Sequence, residues 1–241
     1  MSVLSDRRRV LAAIGLAIVA GSGGIALKAA PGASSGFVPP SEPMRFTRIL
    51  ERDLGDGRKV TVTRSWRVHF VPHPSGYRVR GELIAVDVDA PPRLAALAEV
   101  ERGNGHRATF PIALDETGAI VSTDAHEQSQ IAGLAEAVRE VLKDASDGER
   151  AGAMQYVLAV ERAGARMMSQ WPRDLFFPAA SPRTEERALP LPGGTGGHVT
   201  VHFEAQLDRT AQHLARAERH IVTTVGDTVR TSRETWLLAP F

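Results

Sequence analysis

Apolar and polar residues alternate strictly from Val60 to Phe70, with Arg64 as the one charge among the apolar positions. This period of two is typical of a strand that buries one face. A second extended segment, Phe46 to Leu54, precedes it, and Gly55-Asp56-Gly57-Arg58 joins the two with residues typical of hairpin turns. We therefore predict a hairpin in which Phe46 lies opposite Val68 and Leu54 lies opposite Val60.

Further strands and one short helix follow from the same kind of pattern. Asp89-Ala90-Pro91-Pro92 begins the helix, because proline is tolerated in a first helical turn. The predicted elements are a strand at Tyr77–Val88, a helix to about Arg102, a hairpin at Thr109–Val121 that turns at Asp115–Gly118, and strands at His198–Leu207, Gln212–Val225 and Thr228–Leu238.

Two longer helices are predicted in the middle of the chain. Asp124-x-x-Glu127 and Ser146-x-x-Glu149 each have the form of a capping box, and apolar residues recur at helical spacing after each of them. Residues 172–197 are rich in proline and glycine and are predicted to be irregular.

The order of these elements favours an α+β fold, in which a curved, partly closed, barrel-like antiparallel sheet packs helices on one face. In layout, residues 45–241 resemble the bacterial lipoprotein carriers and related exported lipid-binding domains. That resemblance implies a single domain with a cavity for an apolar ligand, and it assigns no residue a role.

The start of the chain has the pattern of an export signal. Arg7, Arg8 and Arg9 precede an uncharged run from Val10 to Leu27, and small residues follow Lys28. Asp6-Arg7-Arg8-Arg9-Val10-Leu11 resembles, in part, the twin-arginine signals that an export translocase recognises. Residues 1–33 are therefore predicted to be a cleaved signal peptide or a membrane anchor, and residues 34–44 a disordered linker. Both alternatives place the domain in the periplasm, either free or anchored in the inner membrane.

Composition narrows the possible partners. Without residues 1–33, which carry four basic residues and one acidic residue, the formal charge changes from +1 to −2. No basic surface large enough for nucleic acid is therefore expected. The chain has no cysteine, which excludes disulfides, thiol nucleophiles and thiolate metal sites.

A charged pair is predicted on the apolar face of the last hairpin. If Gly226-Asp227 is a two-residue turn, Arg219 lies opposite Glu234 and Ala217 lies opposite Trp236. Arg64, Arg219, Glu234 and Trp236 form a candidate site in which guanidinium groups hold the polar head of an amphiphilic ligand. The alternative is an ion pair with a purely structural role.

The remaining motifs give no site. His198, Thr200, His202 and Glu204 share one strand face, but their spacing suits a solvated face better than a zinc site. No cofactor or catalytic motif is recognised. The sequence therefore favours an exported, non-catalytic binding protein for an amphiphilic or apolar ligand or a lipidated partner; an exported hydrolase with a non-local active site and an envelope assembly factor are the alternatives.

Overall fold

Nine strands and one short helix make up the regular structure of the computed structural model, which describes residues 38–53, 59–103, 109–123, 171–178, 181–190, 196–210, 212–225 and 228–241. The strands are β1 (Met44–Asp53), β2 (Lys59–His73), β3 (Gly76–Asp89), β4 (Ile112–Leu114), β5 (Ile120–Thr123), β6 (Arg183–Pro190), β7 (Gly196–Leu207), β8 (Leu214–Val225) and β9 (Thr228–Pro240). The 3-10 turn Pro92–Leu94 leads into helix α1 (Ala95–Gly103).

All nine strands belong to one antiparallel sheet, in the order β5-β4-β3-β2-β1-β9-β8-β7-β6. Within the described ranges, 66% of residues lie in strands and 7% in helix. The sheet is open, since β5 and β6 are its edges. Among the described residues, no helix is long and apolar enough to cross a membrane.

The predicted α+β fold class is therefore wrong. The sheet is open instead of partly closed, and the described ranges contain one small helix instead of a layer of helices on one face. The two helices predicted within residues 124–171 lie almost wholly outside the described residues. Residues 172–197 were predicted to be irregular, but they contain the edge strand β6. Neither face of β6 is fully buried, so its charged sequence does not alternate between apolar and polar residues.

Most individual strands were predicted correctly. The strand at Tyr77–Val88, the helix to about Arg102, the turn at Asp115–Gly118 and the last three strands are confirmed. The β1–β2 register differs from the prediction by two residues, because Phe46 lies opposite Trp66. A shift of two residues keeps each side chain on its predicted face. The turns at residues 55–58 and 226–227, and residues 1–33, lie outside the described residues.

One face of the sheet, here called the inner face, carries the core. Its centre is Phe46, whose ring lies 5.5 to 6.1 Å from four other aromatic rings. We call this group the aromatic cluster: Phe46, Trp66, Phe110, Trp171 and Phe176. Helix α1 lies further along the same face, where Ala98 packs with Val62 and Val88.

Residues 171–177, here called the covering segment, lie across the aromatic end of the inner face. Leu175 and Phe176 are fully buried in the core. The N–H of Ile120 on β5 donates to the carbonyl of Arg173, and the N–H of Leu214 on β8 donates to the carbonyl of Phe176. β5 and β8 are six strand spacings apart, which is about 29 Å in a flat sheet. Because residues 173–176 alone connect the two strands through these hydrogen bonds, the sheet must curve around the covering segment.

Candidate functional site

Neighbouring strands place the candidate residues side by side on the inner face. Arg48 of β1 lies between Arg64 of β2 and Trp236 of β9 in the register. Arg219 of β8 lies opposite Glu234, and Ala217 lies opposite Trp236, as the sequence predicts. Alternation explains this arrangement, because residues two apart on each strand point to the same face.

Arg219 and Glu234 form a buried ion pair. Arg219 Nε donates to Glu234 Oε2 at 3.0 Å, and Arg219 Nη2 donates to the same oxygen. The Arg219 guanidinium also lies over the ring of Trp236, 5.3 Å from its centre. Both charged residues are buried, so solvent screens their attraction little.

Arg48 is a third member of this network, and the sequence analysis did not include it. Arg48 Nε donates to Glu234 Oε1 at 2.7 Å, and its Nη2 contacts the same oxygen. The two carboxylate oxygens of Glu234 thus serve two different guanidinium groups. Phe46, Arg48 and Leu50 alternate along β1, so the sequence already places Arg48 on the apolar face; its pairing with β9, however, joins distant parts of the chain.

The charge of Glu234 is strongly stabilised. Burial alone raises the pKa of a carboxyl group, but the charges of Arg219 and Arg48 and their hydrogen bonds outweigh burial and lower the pKa of Glu234 to about 2. Glu234 is therefore ionised at neutral pH and acts as an acceptor, not as a general acid.

Arg64 also lies on the inner face, where it pairs with helix α1 and not with the Arg219–Glu234 pair. Its Nη2 donates to Glu101 Oε1 of helix α1 at 2.8 Å. Burial raises the pKa of Glu101, and the Arg64 charge and hydrogen bond lower it further than burial raises it. The sequence analysis missed Glu101, although it follows Leu94 and Ala98 on the buried side of the helix at helical spacing.

Two tryptophans flank Arg48. Trp236 is the Cα partner of Arg48, and the ring of Trp171 in the covering segment lies 5.9 Å from the Arg48 guanidinium carbon. Trp171 is 4% exposed and Trp236 is 0% exposed. Neither indole N–H has a hydrogen-bond partner among the described residues.

The covering segment is held by a second buried ion pair. Arg183 of β6 donates through Nη1 and Nη2 to the two oxygens of Asp174, at 2.9 and 2.7 Å. The Arg183 guanidinium also lies 4.1 Å above the centre of the Phe203 ring. This two-point contact fixes the segment that brings Trp171 to the inner face.

The histidines considered for zinc lie on the opposite face of the sheet. His198, His202 and Glu204 are exposed, and the Nδ1 of His202 lies 3.0 Å from the hydroxyl of Thr184. In the described part of the chain, no three histidine, aspartate or glutamate side chains are placed to hold a metal ion.

Comparison with known proteins gives no assignment. No protein-family model matches the chain, and no curated protein matches it.

Proposed function

We propose that this chain is a non-catalytic binding protein of the cell envelope, which holds an amphiphilic or apolar ligand, or a lipidated partner, against the inner face. The observation that carries the proposal is an aromatic cluster that directly adjoins buried guanidinium groups on one curved face. Aromatic rings make dispersion contacts with alkyl chains, and guanidinium groups donate hydrogen bonds to polar heads.

The envelope location rests on the sequence pattern of residues 1–33. We propose that an export translocase recognises this segment and that the domain works in the periplasm, free or anchored in the inner membrane.

Native mass spectrometry tests this function directly. The full chain is produced with its own N-terminal segment in a bacterial host and extracted gently from the envelope fraction. We expect the protein to carry an adduct of several hundred daltons that organic solvent releases. Protein that carries no adduct and takes up no dodecyl amphiphile, or that stays in the cytoplasmic fraction, contradicts the proposal.

Two neighbouring residues on β3 provide a matched pair of variants. Leu83 packs at the margin of the aromatic cluster, whereas Ile84 is 39% exposed. We expect Leu83→Asn to weaken uptake of a dodecyl amphiphile by about tenfold, since roughly 1.5–3 kcal/mol accompanies the burial of a leucine side chain. Ile84→Asn, the control, should bind like the wild type. Equal binding by both variants would exclude the inner face as the binding surface.

A further inference from the structure

Two hydrogen-bond donors on the inner face lack an acceptor within the part of the chain that the structure describes. Trp171 Nε1 and Trp236 Nε1 are buried and have no partner among the described residues. A buried donor without an acceptor destabilises the fold, and folded proteins satisfy the great majority of such groups. An acceptor that fills this place would therefore be bound favourably.

Both donors belong to residues that adjoin the same guanidinium group. Arg48 pairs with Trp236 across the β1–β9 ladder, where opposed Cα atoms are about 4.5–5.5 Å apart. Its guanidinium carbon lies 5.9 Å from the ring centre of Trp171. Arg48, Trp171 and Trp236 are therefore neighbours on the inner face.

Arg48 shares its carboxylate with Arg219, and its charge also acts at longer range on Glu101. Among the described residues, its only ion-pair partner is Glu234. The Arg48 side chain is 12% exposed, so a group can approach it from solvent. A partly buried guanidinium that shares its counter-ion retains an attraction for a further anion.

The chemistry of these side chains selects the type of acceptor. Indole nitrogens and guanidinium groups are donors only. A water molecule at this place would have to direct its own hydrogens elsewhere, whereas a carboxylate or phosphate accepts from several donors at once. We infer that Arg48, Trp171 and Trp236 bind an anionic oxygen group, carboxylate or phosphate, which is the head of the amphiphile. This inference rests on the proposed function.

A panel of dodecyl compounds that differ only in their heads tests the inference. Dodecanoate, dodecyl phosphate, dodecanol and dodecyltrimethylammonium are titrated into the full chain below their micelle concentrations, with isothermal titration calorimetry as the readout. Acetate and inorganic phosphate are titrated in parallel, which separates a lipid head from a free anion. We expect one or both anionic amphiphiles to bind at least tenfold more tightly than dodecanol, as hydrogen bonds to a charged group contribute about 1.5–3 kcal/mol.

Tryptophan variants assign the effect to the two donors. Trp171→Phe and Trp236→Phe remove the indole N–H and keep an aromatic ring, so each should reduce the preference for the anionic head over dodecanol by about tenfold. Trp66→Phe is the matched control, because the Trp66 indole nitrogen is not an unpartnered buried atom. It alters the aromatic cluster and should change the affinities of all four dodecyl compounds by the same factor, so that their ratio is unchanged. Arg48→Lys, which keeps the charge and loses the planar fork, should retain part of that preference.

The outcomes separate the two proposals. If all four dodecyl compounds bind equally, the anionic-head inference is wrong and the proposed function stands. If acetate and phosphate bind as tightly as the amphiphiles, the site takes a free anion and the amphiphilic part of the inference is wrong. If no compound binds, the proposed function itself fails.

Discussion

The carboxylate of Glu234 joins two strands through their arginines. Its Oε1 accepts from Arg48 of β1, and its Oε2 accepts from Arg219 of β8. Glu234 itself belongs to β9, which lies between those strands. A single side chain therefore ties together three strands from the two ends of the described chain.

Replacement of Glu234 by glutamine should destabilise the fold strongly. Glu234→Gln removes the charge that Arg48 and Arg219 share and leaves both guanidinium groups facing a neutral amide. Loss of one member of a buried ion pair costs about 3–5 kcal/mol. Denaturant unfolding at pH 7 measures this change in free energy.

Glu218→Gln is the matched control for that experiment. Glu218 lies on the opposite face of β8, where it contacts Arg216 and Arg233 and is 31% exposed. A pair this exposed contributes about 0–1 kcal/mol. Equal destabilisation by the two variants would show that the buried network contributes no more to the stability of the fold than an exposed ion pair does.

The lowered pKa of Glu234 predicts a particular pH dependence. Its pKa is about 2 in the folded protein against an ordinary value of 4.5. A carboxyl with a depressed folded pKa stabilises the fold fully above pH 4.5, and this stabilisation is lost as the pH falls towards 2. The difference corresponds to about 3 kcal/mol.

Unfolding free energies at a series of pH values test this point. The gap in stability between the wild type and Glu234→Gln should be constant between pH 5 and pH 7 and shrink by about 3 kcal/mol between pH 5 and pH 2. A gap that does not change with pH would mean that Glu234 titrates normally in the folded protein.

Part of the ion-pair network around Glu234 could be predicted from the sequence alone. The opposition of Arg219 and Glu234 followed from alternation and a short turn, and it is confirmed. Arg48 was visible as a charge on an apolar face, yet its role depends on β1 pairing with β9, a contact between residues 186 positions apart. Local patterns carry no information on such a pairing. The sequence analysis also missed the position of Trp171 beside Arg48, because it interpreted Trp171 as the end of a helix.

At the level of elements, the covering segment is the piece that local patterns failed to predict. Its backbone bonds to β5 and β8, and Asp174 binds Arg183 of β6. The segment and β6 both fall in a stretch rich in proline and charge, which resembles a loop in composition. Their structure comes from contacts with distant strands instead of from propensity.

Loss of the Asp174–Arg183 pair should loosen the covering segment. Asp174→Asn removes the charge from a two-point contact, so the amides of Ile120 and Leu214 should lose protection. Hydrogen exchange measured by mass spectrometry should show at least about tenfold faster exchange at these two amides. Glu186→Gln, at an exposed position on the same β6 strand, is the control and should exchange like the wild type. Unchanged protection in Asp174→Asn would mean that the ion pair does not hold the segment.

A close approach between β3 and Phe110 gives a second prediction at this scale. A Cβ atom at Gly81 would lie 2.3 Å from Cδ2 of the Phe110 ring. Gly81→Ala should therefore force this buried ring to move and cost about 1–3 kcal/mol. The same substitution in a Phe110→Ala background should cost clearly less. Equal costs in both backgrounds, measured by denaturant unfolding, would show that the contact does not constrain the fold.

At the scale of the whole molecule, one strongly curved sheet presents an aromatic cluster and an arginine network on the same face. The sequence predicted an antiparallel sheet and most of its strands, because alternation is a local signal. The predicted helical layer rested on apolar stripes in residues 124–171, almost all of which lie outside the described residues. In the described part of the chain, a non-helical segment and one short helix cover that face instead.

The most direct test of the proposed binding is a nuclear magnetic resonance titration of the ¹⁵N-tryptophan-labelled protein with dodecanoate. The chain has three tryptophans, Trp66, Trp171 and Trp236, so the spectrum holds three indole N–H signals. If an anionic head binds beside Arg48, the Trp171 and Trp236 signals should move downfield and saturate together, whereas the Trp66 signal should show no downfield shift. Three signals that stay in place throughout the titration, or that all shift equally without saturation, would contradict the account.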